Sequence, residues 1–295
     1  MIDNFIEYPL SKDQNYTFSV VIPTWNNLEY LKNCIESISQ HSVHQHQIIV
    51  FVNEGTDGTP EWLNEYNLEN LDYIHSPENV GICYGVNHCR SMVKSDYIIY
   101  INDDMYVLPG WDEELQAAID RLDTRMFMLS STMIEPLDTG NNCLVVKNYG
   151  TDLDSFKKSD LLNDFQGFKR SNWQGATWPP VLLHVDAWDL VGGFSIEFSP
   201  GMYSDPDLSF KLMQAGVREF MGVGSSLVYH FGSKSTIRVH KNRGRKMFLA
   251  KWGISSRVFR KKLLLIGKEY AGPLPDPDLS IRNRLINRLK RMVNC

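Results

Sequence analysis

Two short acidic motifs have the residue types and spacing needed for chemistry on a charged substrate. In the first, the apolar run from Tyr97 to Ile101 leads directly into Asn102, Asp103 and Asp104. Adjacent carboxylates repel each other unless a cation compensates their charge. Mg²⁺ and Mn²⁺ prefer oxygen ligands, and Mg²⁺ commonly uses one or two carboxylates together with phosphates. The motif therefore predicts a site for Mn²⁺ or Mg²⁺, although capping of the following turn also explains two aspartates here.

The second motif is MYSDPDLSFKLMQAG, which places Asp205 and Asp207 at the start of a predicted amphipathic helix. Leu208 and Leu212 fall on one face of that helix. Acidic residues in a first turn are favoured by the helix dipole. A structural role thus explains these two aspartates as well as a functional one does.

The elements that must position these motifs follow from the pattern of apolar residues. Short runs rich in β-branched residues alternate with segments of helical spacing, which predicts a mostly parallel sheet covered by helices on both faces. In that architecture ligands bind outside the carboxyl ends of the strands. Polar, turn-forming residues follow each of the predicted strands. The predicted strands are residues 18–22, 47–52, 72–75 and 96–101, and the predicted helices include one with Leu28, Leu31, Ile35 and Ile38 on one face, one that begins at Thr59, and one over residues 81–94.

Composition limits the class of protein. The chain has 295 residues, of which 43% are hydrophobic, enough to bury a sizeable core. Its five cysteines form no CxxC pair, which favours a reducing compartment over a disulfide framework. The N-terminus carries acids and lacks the basic and apolar regions of a secretory signal, and no apolar run approaches the ~18 residues of a membrane span. We therefore expect a cytoplasmic location.

The charge is distributed unevenly along the chain. Residues 236–295 hold sixteen Lys and Arg against three Asp and Glu, a net charge of +13, whereas the whole chain carries −5 and the remainder therefore −18. This asymmetry predicts a first domain over residues 1–235 and a basic helical extension over residues 236–295. Such an extension faces an anionic partner or is simply a solvated helical tail.

The joint order of motifs over residues 18–232 resembles glycosyltransferase family 2, whose members have the GT-A fold, a Rossmann-like α/β architecture. The resemblance implies an inverting enzyme that moves a sugar from a nucleotide-diphosphate donor to a hydroxyl of a glycan or lipid-linked glycan. Bacterial-type surface polysaccharide synthesis is the implied setting. The motifs are VVIPTWNN, a second strand followed by DGT, NVG, YIIYINDD, VGGF and SDPDLSFKLMQAG.

The resemblance also implies a role for individual residues. Asp205 would be the general base, and Asp104 and His230 would bind the metal. Asn102 and Ser204 stand where the family has acids. In NEGTDGT, Asn53 and Glu54 occupy the positions of the family's second-strand acids, and only Glu54 is acidic. The implied nucleotide-sugar-binding residues are Pro23, Thr24, Trp25, Asn53, Glu54, Asn79, Gly81, Asn102 and Asp103, and Trp178, Ser204 and Asp207 are implied to contact the acceptor or support the base.

The basic extension contains two amphipathic segments separated by the linker GPLPDPD. In the second segment Leu285, Leu289 and Met292 share one side and arginines surround them. A basic amphipathic helix can lie on an anionic membrane. We expect peripheral contact with the inner face of the plasma membrane or docking onto a partner enzyme, and no binding of nucleic acid.

The same residues do not match the motifs of several other enzyme classes. The first strand ends in PTWNN, which lacks the glycine-rich loop with Arg or Lys of a nucleotidyltransferase. The chain also lacks the GxGxxG of a dehydrogenase after this strand and the GxxxxGK[ST] of a P-loop enzyme. A nucleotidyltransferase and a non-catalytic sugar-nucleotide-binding module remain as alternatives, the second because of Asn102 and Ser204.

Overall fold

The computed structural model describes residues 5–66, 68–232 and 243–294. Within these ranges one mixed sheet forms the centre of the molecule. All four predicted strands are present and differ from their predicted bounds by a few residues at most. The strands are β1 (Ile6–Tyr8), β2 (Ser19–Trp25), β3 (Gln47–Asn53), β4 (Leu71–Ser76), β5 (Tyr97–Tyr100), β6 (Met105–Val107), β7 (Phe127–Glu135), β8 (Val145–Val146), β9 (Trp173–Gln174), β10 (Val181–His184) and β11 (Glu219–His230).

The sheet has a parallel half and a mixed half. Its strand order is β1-β4-β3-β2-β5-β10-β7-β11-β6. Strands β4, β3, β2 and β5 run parallel, so that their carboxyl ends meet at one edge. Strand β10 is antiparallel to both β5 and β7, whereas β11 is parallel to β7 and antiparallel to β6. Consequently, the ends of β2, β3, β5, β7 and β11 lie around one cleft.

Helices cover the sheet, as the alternating pattern predicted. The helix predicted from Thr59 begins at that residue, whose amide and hydroxyl both donate to the Asp57 carboxylate. The helices are α1 (Leu28–His41), α2 (Thr59–Glu65), α3 (Ile82–Cys89), α4 (Trp111–Ile119), α5 (Lys158–Asp164), α6 (Val185–Val191), α7 (Ser204–Gln214), α8 (Gly244–Trp252), α9 (Ser256–Val258) and α10 (Ile281–Asn294).

Successive residues of each strand point to opposite faces of the sheet and build two separate cores. Val20 and Ile22 of β2 belong to one core, which α1 covers with Leu31. Val21, between them, belongs to the other core, which α3 covers with Val86. Both faces are therefore buried, which explains why β2 and β3 read as continuous apolar runs.

The C-terminal segment divides into two parts by its packing. Phe248 of α8 and Phe259, just after α9, are fully buried in the core that contains Val21, and the Phe259 ring packs edge-on against Phe210 of α7 at 4.8 Å. Helix α10 instead lies at the surface and docks through the buried Asn287, whose side chain accepts from the Ser255 amide. In the described residues, therefore, no break in packing separates α8 and α9 from the main body. The predicted division between residues 235 and 236 falls outside the described residues.

Within the same ranges, none of the helices combines the length and apolar character needed to cross a bilayer.

Candidate active site

A cavity of about 480 Å³ lies at the carboxyl ends of the parallel strands and is closed on one side by the start of α7. This is the position at which open α/β sheets bind ligands. Most of the residues implied by the family resemblance line it. These are Pro23, Thr24, Trp25, Asn53, Asn79, Gly81, Asn102, Asp103, Asp104, Trp178, Ser204, Asp205 and His230. The two that do not line it are Glu54 and Asp207.

The strand-end acid motif is anchored to the neighbouring strand. Asp103 and Asp104 are both buried, and the Thr24 hydroxyl at the end of β2 donates to the Asp103 carboxylate at 2.7 Å. This contact forms because β2 and β5 are parallel neighbours whose ends coincide. The Tyr100 hydroxyl donates to the Asn102 side chain at 2.8 Å. The loop after β5 is therefore held in one shape before any ligand binds.

Asp104 and His230 form the part of the cavity best suited to a divalent cation. They meet because β6 begins directly after Asp104 and pairs with β11, with Met105 opposite His230. His230 Nε2 lies 3.4 Å from Asp104 Oδ1, while Nδ1 donates to the Glu135 carboxylate at 2.7 Å. A carboxylate on the far nitrogen is the usual support of a metal-binding histidine.

The donor set fits Mn²⁺ or Mg²⁺, because one carboxylate oxygen of Asp104 and one imidazole nitrogen of His230 lie 3.4 Å apart in the lining of the cavity. No group of three or more His, Cys, Asp or Glu side chains in the described part of the chain forms a ready-made metal site. Phosphate oxygens and water would have to complete the coordination. Burial disfavours charge on His230, but the Asp104 and Glu135 carboxylates outweigh it and raise the pKa of the imidazole to about 10. The pocket thus already favours a positive charge beside Asp104.

Asp205 occupies the opposite wall of the cavity in a different environment. It is half-buried at the start of α7, and its carboxylate accepts no hydrogen bond from the described residues. Burial raises the pKa of Asp205 to about 7. The neighbouring Ser204 hydroxyl donates to the Gly201 carbonyl at 2.6 Å and so fixes the entry to the helix. A carboxyl group with such a pKa can accept a proton near neutral pH, and this one lines an open cavity.

Asp207 is fully buried on another side of α7 and does not reach the cavity. Its carboxylate accepts hydrogen bonds from the Ser195 hydroxyl at 2.5 Å and from the Trp252 indole at 2.7 Å. The Lys251 ammonium completes the site at 3.0 Å. Asp207 therefore ties the first turn of α7 to α8.

The loops after β2 and β3 differ from expectation at Glu54. That residue has a φ of +60°, and its carboxylate turns back to accept from the Trp25 indole at 2.7 Å and the Asn26 amide at 3.1 Å. Glu54 thus positions Trp25 and leaves Asn53 as the β3 side chain that lines the cavity. Asn53 accepts from the Val80 amide at 3.0 Å, which links the end of β3 to the loop after β4.

Gly81 is required by the close approach of two loops. Its φ is +79°, and a Cβ atom there would collide with the Ser199 hydroxyl and the Pro200 backbone. Asn79 accepts from the Gly81 amide at 2.9 Å and shapes the same turn. The backbone at Gly81 and the backbone at Pro200 therefore lie close together at this wall of the cavity.

Two charged residues that line the cavity were not predicted from the sequence. Glu135 ends the apolar strand β7, and polar strand ends were the signal that could have identified it. Arg260 comes from the basic C-terminal segment, and its guanidinium lies over the Trp178 ring at 5.6 Å from the ring centroid. Nothing in the local pattern around Arg260 relates it to Trp178.

Solved structures of low sequence identity share the fold. S. aureus TarS (residues 1–349) in complex with UDP-GlcNAc superposes with a TM-score of 0.58 at 13% identity, covering 94% of this chain and 71% of that one. The mannosyltransferase PcManGT from Pyrobaculum calidifontis, in complex with GDP-Man and Mn²⁺, gives 0.55 at 14% identity, covering 97% and 72%. These likenesses establish the GT-A fold that the motif order implied.

Curated relatives match over shorter stretches. An uncharacterized glycosyltransferase of Bacillus subtilis, YfnE, is 33% identical over 89 residues, which are 30% of this chain and 23% of YfnE. The putative teichuronic acid biosynthesis glycosyltransferase TuaG of the same organism is 25% identical over 127 residues, 41% of this chain and 50% of TuaG. The chain therefore spans at most half the length of these relatives.

The family profile covers the part of the chain that builds the strand-end side of the cavity. The profile described as Glycosyl transferase family 2 matches residues 19–170, just over half of the sequence. This range includes the ends of β2, β3 and β5 and both strand-end aspartates. With its fold and its acid-lined cavity, the chain belongs to glycosyltransferase family 2.

Proposed function

We propose that this glycosyltransferase is inverting and metal-dependent, and that it moves a sugar from a nucleotide-diphosphate donor to a hydroxyl of a glycan or lipid-linked glycan. One observation carries the proposal. Asp205, whose pKa is raised to about 7, lines the same cavity as the Asp104–His230 pair. A base and a cation-binding pair that share one cleft are the two requirements of such a transfer.

The proposed reaction is a single displacement. Asp205 accepts the proton of the acceptor hydroxyl, and the hydroxyl oxygen forms a bond to the anomeric carbon as the bond to the diphosphate breaks. Attack from the face opposite the leaving group inverts the configuration. A base whose pKa lies near the working pH is half ionised there and accepts a proton readily once ionised.

Asp104 and His230 would hold Mn²⁺ or Mg²⁺ at the donor diphosphate. When bound, the cation neutralises the charge that develops on the leaving group. Asp103 and Asn102 lie beside this point and are assigned to the ribose and sugar hydroxyls. Trp25 and Asn53, at the ends of β2 and β3, are assigned to the nucleotide base.

The acceptor class and the biological setting are supported by the relatives. TuaG of Bacillus subtilis is named a putative teichuronic acid biosynthesis glycosyltransferase. We assign this chain to the same kind of process, with a growing glycan as acceptor.

The proposal includes contact with an anionic membrane through α10. Ile281, Leu285 and Leu289 recur every four residues on this helix and are 77%, 55% and 63% exposed. The exposed Arg288 and Arg291 lie on the same helix. An apolar stripe bordered by cations matches an anionic lipid surface. The positive charge is concentrated in this C-terminal segment, since residues 1–235 carry a net charge of −18.

Cosedimentation with vesicles of phosphatidylglycerol and phosphatidylcholine tests this contact. The full chain is expected to bind anionic vesicles in a salt-dependent manner, and the double variant Leu285→Glu/Leu289→Glu to lose binding. Equal binding by the two proteins, or no binding by either, would exclude a membrane role for α10.

Thermal stabilisation across a panel of nucleotide sugars, with and without Mn²⁺, tests the main proposal. A donor at one hundred times its dissociation constant should stabilise the fold by about 2.7 kcal/mol, and only when Mn²⁺ or Mg²⁺ is present. The stabilising donor should then release its nucleoside diphosphate when acceptors are added. Binding without any turnover would support a non-catalytic module instead, and indifference to the metals would contradict the proposal.

A further inference from the structure

Arg260 stands out among the residues that line the cavity. The carboxylates of Asp103, Asp104, Glu135 and Asp205 all face this space. Arg260 is the one Lys or Arg among the described residues in the lining. An acid-lined cleft that contains a guanidinium is suited to two different charged groups, one bound through a cation and the other bound directly.

The Arg260 guanidinium has no carboxylate partner in the part of the chain that the structure describes. It is half-buried and lies over the Trp178 ring, with which it makes a cation–π contact. Other arginines of the chain have a carboxylate partner, for example Arg218, which pairs with Asp276 at 3.0 Å. Stacking on an indole leaves the guanidinium hydrogen-bond donors available to a ligand.

The backbone that carries Arg260 is fixed in place. The preceding Phe259 is fully buried against Phe210 of α7, and the Arg260 carbonyl accepts from the Ile266 amide at 3.0 Å. Farther along the segment, Leu264 is also fully buried. The side chain is thus presented by an anchored element, as a binding residue must be.

The location of Arg260 separates it from the nucleotide side of the cavity. Trp178 precedes β10, which lies beyond β5 when counted from β2 and β3. The Arg260 segment also packs on α7, the helix that begins with the proposed base. Arg260 therefore enters the cavity from the wall that carries Asp205, where the acceptor must approach.

We propose that Arg260, held against Trp178, binds a negatively charged group of the acceptor, either a phosphate or a carboxylate. The acceptors of this enzyme are then anionic glycans or sugar phosphates. This inference rests on the proposed function and adds the acceptor class to it. It also changes the expected role of Trp178, because the guanidinium and not a sugar ring covers one face of the indole.

Calorimetric titrations of three proteins test the proposal: wild type, Arg260→Gln and the matched control Arg257→Gln. Arg257 is exposed on the same segment, three residues before Arg260, and does not line the cavity. Each protein is saturated with UDP and Mg²⁺ and then titrated with glucose 6-phosphate, glucuronate or uncharged glucose. A separate titration gives the dissociation constant of UDP with Mg²⁺.

Wild type and Arg257→Gln should bind the two charged sugars at least about ten-fold more tightly than glucose, and Arg260→Gln should lose this preference. Arg260→Lys should recover only part of it, because an ammonium lacks the planar fork. The affinity for UDP should stay within about two-fold in all variants.

Two results would overturn the inference. Equal binding of charged and uncharged sugars by wild type would show that there is no anion subsite. A loss of UDP affinity of about ten-fold or more in Arg260→Gln would assign the arginine to the donor diphosphate instead. Failure of wild type to bind any of UDP, GDP and dTDP with either metal would contradict the proposed function alone, and the same titrations on the ligand-free protein would still decide the role of Arg260.

Discussion

The two acidic motifs of this chain line one cavity but are held in opposite ways. At the end of β5, Asp103 accepts from Thr24 and Asp104 lies beside His230. At the start of α7, Asp205 faces the same space with no hydrogen bond from the described residues, and burial raises its pKa to about 7. The difference shows how one fold gives the same side chain two environments. Under the proposed function, the partnered carboxylates are held for a cation and the desolvated one accepts a proton.

The contrast is repeated within the second motif. Asp205 and Asp207 are two residues apart, which corresponds to roughly 200° around a helix, so they project to different sides of α7. Asp207 is fully buried among Ser195, Lys251 and Trp252, and Asp205 lines the cavity. The two should therefore respond to substitution in opposite ways.

The largest expected effect is that of Asp205→Asn on catalysis. The amide cannot accept the acceptor proton, so the rate of transfer should fall by roughly 10²–10⁴-fold while binding of UDP and metal is kept. Initial rates of nucleotide release measure the first quantity and calorimetry the second. Asp160→Asn, an exposed first-turn aspartate of α5, is the matched control and should behave as wild type.

The same residue sets the expected pH dependence. The pKa of Asp205 is raised to about 7, so the carboxylate is ionised above that pH and protonated below it. The rate of transfer should fall as the pH drops through 7 and level off above it. A profile that stays flat between pH 5 and pH 8 (roughly two units below to one above that pKa) would remove Asp205 from the role of base.

The second effect is the loss of stability expected for Asp207→Ala. Removal of this buried carboxylate leaves the Trp252 indole without its acceptor and the Lys251 ammonium with Glu197 as its remaining carboxylate partner. The free energy of unfolding should decrease by about 2–4 kcal/mol, measured by urea denaturation. Asp160→Ala should change it little. If Asp207→Ala were as stable as wild type, the link between α7 and α8 would contribute nothing to holding Asp205.

The sequence predicted the parallel half of the sheet because its strands are buried on both faces and read as continuous apolar runs. The strand-end residues Asp103 and Asp104 followed from that, since a strand end fixes the position of the next residues. The contact of Glu54 with Trp25 could not be predicted, because it depends on a positive φ that leaves no signal in the local pattern. The burial of Asp207 could not be predicted from the sequence, because it depends on how α7 is rotated about its axis. That rotation is set by packing against α8.

Long-range pairings explain what the sequence could not give. Glu135 reaches His230 because β7 and β11 are parallel with Ile134 opposite Tyr229. Arg260 meets Trp178 only after the C-terminal segment has packed against α7. Neither contact leaves a periodic signal in the chain, because each joins residues that are far apart in sequence.

The third effect concerns the first motif and tests the cation site through its support. Glu135→Gln should weaken metal-dependent binding of UDP by roughly 10–100-fold, because the amide holds His230 less firmly and lowers its basicity. Calorimetry with and without Mn²⁺ measures the change. Glu113→Gln, at an exposed position on α4, is the control. Unchanged affinity in Glu135→Gln would show that His230 is not a ligand.

The smallest effect is a gain in stability from Asp205→Asn, opposite in sign to that of Asp207→Ala. Because the pKa of Asp205 is higher in the folded chain than in the unfolded one, ionisation costs folding free energy that grows as the pH rises from about 4 to about 7. The neutral amide removes this cost, so the variant should be more stable than wild type by about 1–2 kcal/mol at pH 8 and less so at pH 5. Thermal unfolding at the two pH values measures the difference. A variant that is less stable than wild type at pH 8 would mean that the carboxylate is compensated in the fold, and the contrast between the two aspartates of α7 would disappear.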